Sequence, residues 1–147
     1  MKYTCEIEIN QPVEKVIELF DNVDNLPKWM EGLESFEHLS GETGQPGAKS
    51  LLKFKMGKRK MEMTETITVR NLPEEFSGFY EMDGVINRIK NKFSAISESK
   101  TLYTTENEFD IKNNMVMKIF AFLMPGMFKK QSMKYLQSFK KFAESQN

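Results

Sequence analysis

Apolar and polar residues alternate from the second position onward. Tyr3, Cys5, Ile7 and Ile9 take one parity, and Lys2, Thr4, Glu6 and Glu8 the other. This predicts a half-buried strand over residues 2–9. Asn10-Gln11-Pro12, a capping-type residue and an early proline, then opens a helix. Val13, Val16, Ile17 and Phe20 recur inside it at helical spacing. Residues 24–30 read as a short second helix or turn, interrupted at Pro27.

Six strand-like segments come next, at 33–39, 48–56, 61–69, 76–82, 85–96 and 102–111. The first is weak and ends in the loop 40–47. In the second, Ser50, Leu52, Phe54 and Met56 share a face; in the third, Met61, Met63, Glu65, Ile67 and Val69 do. Gly57-Lys58, Asn71-Leu72-Pro73-Glu74, Asp83-Gly84 and Glu98-Ser99-Lys100 mark the turns. Asp83-Gly84 is the strongest hairpin signal. After Asn113-Asn114 the period becomes helical. Residues 115–124 are apolar nearly all round, and Pro125-Gly126 breaks or kinks the helix. Beyond Met127, Phe128, Tyr135, Leu136, Phe139, Phe142 and Ala143 share one face, opposite five lysines.

Consecutive strands on short loops form an antiparallel meander, which twists and curves. Its apolar face needs cover, and only the C-terminal helix is long enough to give it. The expectation is an α+β, helix-grip architecture in one domain over residues 1–147. A seven-stranded curved antiparallel sheet surrounds a long C-terminal helix, with two short helices after the first strand. A helix laid across a curved sheet leaves room between them for a ligand.

The chain resembles the START-like, or Bet v 1-like, superfamily, and within it the SRPBCC group labelled polyketide cyclase/dehydrase. Four stretches carry the resemblance: the opening strand with Asn10-Gln11-Pro12-Val13-Glu14-Lys15-Val16, then Leu26-Pro27-Lys28-Trp29, Asn71-Leu72-Pro73-Glu74-Glu75-Phe76, and Phe139-Lys140-Lys141-Phe142-Ala143-Glu144. The superfamily includes lipid carriers, hormone receptors, aromatase/cyclases, ubiquinone-binding proteins and chaperone activators. The resemblance thus implies a shape and leaves the activity open. Pro27-Lys28-Trp29 is similar to the family's Pro-x-Trp feature, which implies packing at the cradle mouth, with direct ligand contact as the alternative.

Composition narrows the field. The 147 residues carry no net charge, so no whole-protein field points to nucleic acid. Residues 112–147 nevertheless hold seven lysines and one glutamate, a local charge of +6. One cysteine and one histidine make neither a disulfide nor a zinc site. No metal or other cofactor is expected. The opening alternation has no apolar signal core, and no apolar run approaches the roughly 18 residues of a spanning helix. A cytoplasmic protein is expected.

The leading expectation is a carrier or sensor that holds a lipid-like, isoprenoid or aromatic molecule. Eleven methionines are many for this length. Met56, Met61, Met63 and Met82 fall on inward strand faces and Met115, Met117, Met124 and Met127 on the helix. They are either ordinary core filling or a compliant lining. Phe54, Phe93 and Phe120 add apolar wall, and Trp29 stands at the mouth. Glu65 on an apolar face is either a raised-pKa acid or a carboxylate paired at the rim. Tyr80, Asn87, Asn91, Thr105 and Asn107 either orient a ligand or bond across strands. The alternative is a cyclase-type enzyme using Glu65 and Tyr80. His38 reads as surface or rim and Cys5 as core, so no triad is supported. The lysines read as a solvated face. Their alternative is an anionic membrane surface or an acidic partner, as in a chaperone-activator-like interaction module. In the membrane reading, residues 120–128 form a gate.

Overall fold

The computed structural model describes residues 1–147. Every alternating stretch forms a strand: β1 (Lys2–Ile9), β2 (Leu33–Ser40), β3 (Lys49–Met56), β4 (Arg59–Asn71), β5 (Glu75–Met82), β6 (Val85–Ser97) and β7 (Lys100–Ile111). They make one antiparallel sheet in the order β1-β7-β6-β5-β4-β3-β2. The chain's first two strands are therefore opposite edges. The connection between them, α1 (Val13–Phe20), a 3₁₀ turn (Val23–Asn25) and α2 (Leu26–Trp29), crosses from one edge to the other.

Turn chemistry sets the hairpins. Asp83 and Gly84 both take positive φ, 46° and 78°, the geometry of a two-residue turn whose twist matches its strands. Gly78, inside β5, permits a close approach. A Cβ there would lie 2.5 Å from the Thr66 carbonyl oxygen. Beside it, β4 bulges between Ile67 and Val69. The bulge corrects the expected parity. Val69 pairs with outward Ser77 and is exposed, while Arg70 pairs with inward Phe76.

One helical expectation is also corrected. Pro27 occupies the first turn of α2, where its missing N–H goes unneeded, so it starts the helix instead of interrupting it. The C-terminal run breaks at Pro125, as its sequence predicts, into α3 (Met115–Leu123) and α4 (Gly126–Glu144). Proline has no N–H for the helical ladder and crowds the preceding turn. Only α4 covers the sheet, through Leu136, Phe139 and Ala143; α3 buries nothing.

The core is packed most densely at one end. Phe20 contacts Trp29, Phe76, Phe93, Tyr103 and Phe139, with ring centroids 4.9–6.1 Å apart. Phe139 has no exposed surface. The same end of α4 is tied to the chain's start. Glu144 accepts from the Asn10 N–H at 2.7 Å, and Lys140 donates to the Glu8 carbonyl at 2.6 Å. Toward the start of α4 the packing opens, and the cavity lies there.

Candidate ligand cavity

Between sheet and α4 lies a cavity of about 360 Å³, with 21 of its 33 lining residues hydrophobic. That size and balance suit a small, mainly apolar guest. A wider hollow of about 570 Å³ opens on the outer face of the sheet among Lys2, Arg88, Lys90, Glu106 and Glu108. It has only three hydrophobic lining residues and gives such a guest little cover.

Register builds the cavity floor. Ser50 pairs with Glu65, Glu65 with Tyr80, Tyr80 with Asn87, and Asn87 with Phe109. One cross-strand row therefore carries four polar groups across an apolar wall, and all five residues line the cavity. Tyr80 donates its hydroxyl to Glu65 Oε2 at 2.5 Å. Burial raises the Glu65 carboxyl above its ordinary range, and the tyrosine bond draws it partly back. Burial, then the neighbouring carboxylate, pushes Tyr80 well above a normal phenol, so it remains a donor. Farther along β6, Tyr103 donates to Asn91 Oδ1 at 2.9 Å, and Asn91 donates to the Phe76 carbonyl at 3.2 Å.

Two buried polar atoms in the wall lack a partner: Trp29 Nε1, a donor, and Asn87 Oδ1, an acceptor. Buried polar atoms are rarely left so. Both belong to lining residues, and since neither atom has free surface in this conformation, a guest reaches them only as the wall around them shifts.

Of the residues singled out in the sequence, Trp29, Phe54, Met63, Glu65, Tyr80, Met82, Asn87 and Asn91 line the cavity, as do Thr105 and Asn107. Five others lie outside its lining. Met56 is exposed beside the Gly57 turn, and Met61 packs on the small Leu33–Leu52–Phe54 cluster. Phe93 points inward but is sealed behind Tyr103, stacked at 4.5 Å, and Phe20. Phe120 and Met124 leave with α3 once the helix breaks. His38 is exposed at the rim, bonded to the Gly41 carbonyl, and Cys5 is buried beneath α4.

Several lining residues carried no sequence signal of this role. Phe128, Gln131, Ser132 and Tyr135 come from the start of α4. Their amphipathic spacing indicated a helix face, but not which part of it meets empty space. Arg70 closes the rim by a two-bond grip on Asp21, at 2.8 and 2.6 Å, and also reaches the Gly44 carbonyl. Only the bulge turns it inward.

No family model matches the chain, and no curated protein sequence matches it. Solved structures do. The Zhui aromatase/cyclase of Streptomyces sp. R1128 superposes with a TM-score of 0.79 at 11% identity, over 98% of this chain and 93% of that one. A START superfamily protein of Mycobacterium smegmatis gives 0.74 at 10%, over 98% and 97%. Ara h 8.0201 gives 0.75 at 12%, over 99% of each chain. The architecture is thus the helix-grip fold of START-like, Bet v 1-like proteins. Identities this low carry the fold and leave the activity to the site.

Proposed function

We propose that the chain is a non-catalytic carrier or sensor for a small apolar molecule bearing both a hydrogen-bond donor and an acceptor. The observation that carries this reading is the pair of unpartnered buried atoms, Trp29 Nε1 and Asn87 Oδ1, in the wall of a mainly apolar cavity. Apolar burial supplies the affinity, at roughly 25 cal/mol per Å². The guest's donor meets Asn87 and its acceptor meets Trp29. Met63 and Met82 adapt to its outline. A phenolic, quinol-like or hydroxylated lipid fits this description.

Native mass spectrometry of gently purified protein tests the reading, together with thermal shifts against fatty acids, quinones and aromatic polyketides. A copurifying small molecule, or a shift with one of these classes, is expected. Ile89→Trp, which fills the cavity from β6, abolishes it while the fold persists by circular dichroism. If no small molecule copurifies and none shifts the melting temperature, the carrier reading fails.

Glu65 and Tyr80 favour a second reading, a cyclase-type enzyme. A carboxyl with a raised pKa beside a phenol is a general acid–base pair in waiting. Turnover of an aromatic polyketide by the wild type, abolished in Glu65→Gln with binding kept, would replace the carrier reading.

A further inference from the structure

The helix α3 wears its apolar side outward. Met115, Val116, Ile119, Phe122 and Leu123 are each more than half exposed, Phe122 by 85%. At 3.6 residues per turn these five fall within an arc of roughly 120°. Soluble helices turn such an arc to a core, yet α3 buries no residue. So concentrated an exposed apolar surface marks a docking site.

Charge identifies the occupant. No acidic residue lies between Lys112 and Ala143. Lys118 sits at the edge of the apolar arc, and Lys129 and Lys130 come at the start of α4; none of the three belongs to an ion pair. A second copy docking by this face would bring lysines against lysines across a two-fold axis. An anionic bilayer answers both features: its acyl boundary takes the arc and its headgroups take the lysines. Nine residues make about 13 Å of helix, too short to span. No helix of the chain is long and apolar enough to cross a membrane. Such a helix lies in the interface plane.

The stripe is also wired to the cavity. Phe120 packs edge-on against Phe128 at 5.8 Å, and Phe128 meets Phe109 at 4.7 Å. Phe109 and Phe128 are cavity wall. We propose that α3 docks the protein on anionic membrane surfaces and, through Phe120 and Phe128, opens the cavity toward the lipid. The opening rests on the carrier reading; the docking does not.

Cosedimentation with vesicles of phosphatidylcholine, alone or mixed with phosphatidylglycerol, tests the docking. The protein is expected to bind the mixed vesicles, to leave the neutral ones, and to release as salt rises. Phe122→Glu should lower the partition about tenfold or more, since it removes the most exposed aromatic anchor of the arc. Lys118→Glu should also weaken it. Both positions are solvent-exposed, and circular dichroism checks that the variants fold. A protein that stays off mixed vesicles, or a Phe122→Glu variant that binds like wild type, overturns the proposal. So does a lipid-free dimer in the ultracentrifuge that Phe122→Glu dissolves, which would give the stripe to a second copy. Vesicle binding needs no guest in the cavity, and thermal shifts with soluble ligands need no vesicle, so the two readings fail separately.

Discussion

Glu65 shows how one residue's surroundings set its behaviour. Parity alone put it on the apolar face, and the register places it between Ser50 and Tyr80. Its carboxyl is raised from the usual 4.5 by burial. Between the unfolded and the folded value, the folded chain therefore retains a proton that the unfolded chain has released. Stability from this group is fully present below the unfolded value and is lost as pH rises through the folded one. Glu65→Gln removes that loss while keeping an acceptor for Tyr80. Calorimetry should find the variant level with wild type in acid and higher-melting at neutral pH. A variant that melts lower at neutral pH would show that the carboxylate is more favourably held than its burial implies. The unpartnered atoms of Trp29 and Asn87 were not legible in the sequence. A residue type announces a donor or an acceptor, but only packed neighbours decide whether it goes unmet.

At the scale of elements, the sequence was most legible where one face is buried and a period is strict. All seven strands and their order along the chain come from alternation and turn residues, with Asp83-Gly84 the clearest case. What escaped was the bulge in β4. It inserts one residue, reverses the parity beyond Ile67 and brings Arg70 to the rim, and no composition signal marks it. Gly78 on the facing strand was its one trace. Gly78→Ala would force a methyl group against the Thr66 carbonyl. The expected cost is about 1–3 kcal/mol, read by urea denaturation, with cavity-facing resonances of β4 and β5 shifted most. A loss under about 0.5 kcal/mol would show that the two strands part easily. The break at Pro125 was legible as a break. Its effect was not: Phe120 and Met124 lost their place over the sheet because the helix beyond the proline alone packs.

The whole molecule is uneven in cohesion. Leu136, Phe139 and Ala143 anchor the end of α4 among rings and chain-start hydrogen bonds, while its beginning roofs a void and α3 rests on little. Amide hydrogen exchange should rank these three regions. Residues 136–143 should exchange only with global unfolding, residues 127–132 sooner, and α3 soonest. Uniform protection along α4 would contradict that order. A stable grip at one end with a looser roof at the other gives the cavity its most yielding wall at the start of α4.

The pairing of the first strand with the last has a consequence for birth. Cys5 lies opposite Thr105, so β1 meets its partner only after about a hundred further residues exist. On a ribosome, β1 must wait, unpaired and half apolar, until those residues have been made. Closing so distant a pair carries a large loop entropy and slows folding. A nascent chain stalled ahead of β7 would thus expose sticky surface, and chaperone capture at that stage is the natural cost of this topology.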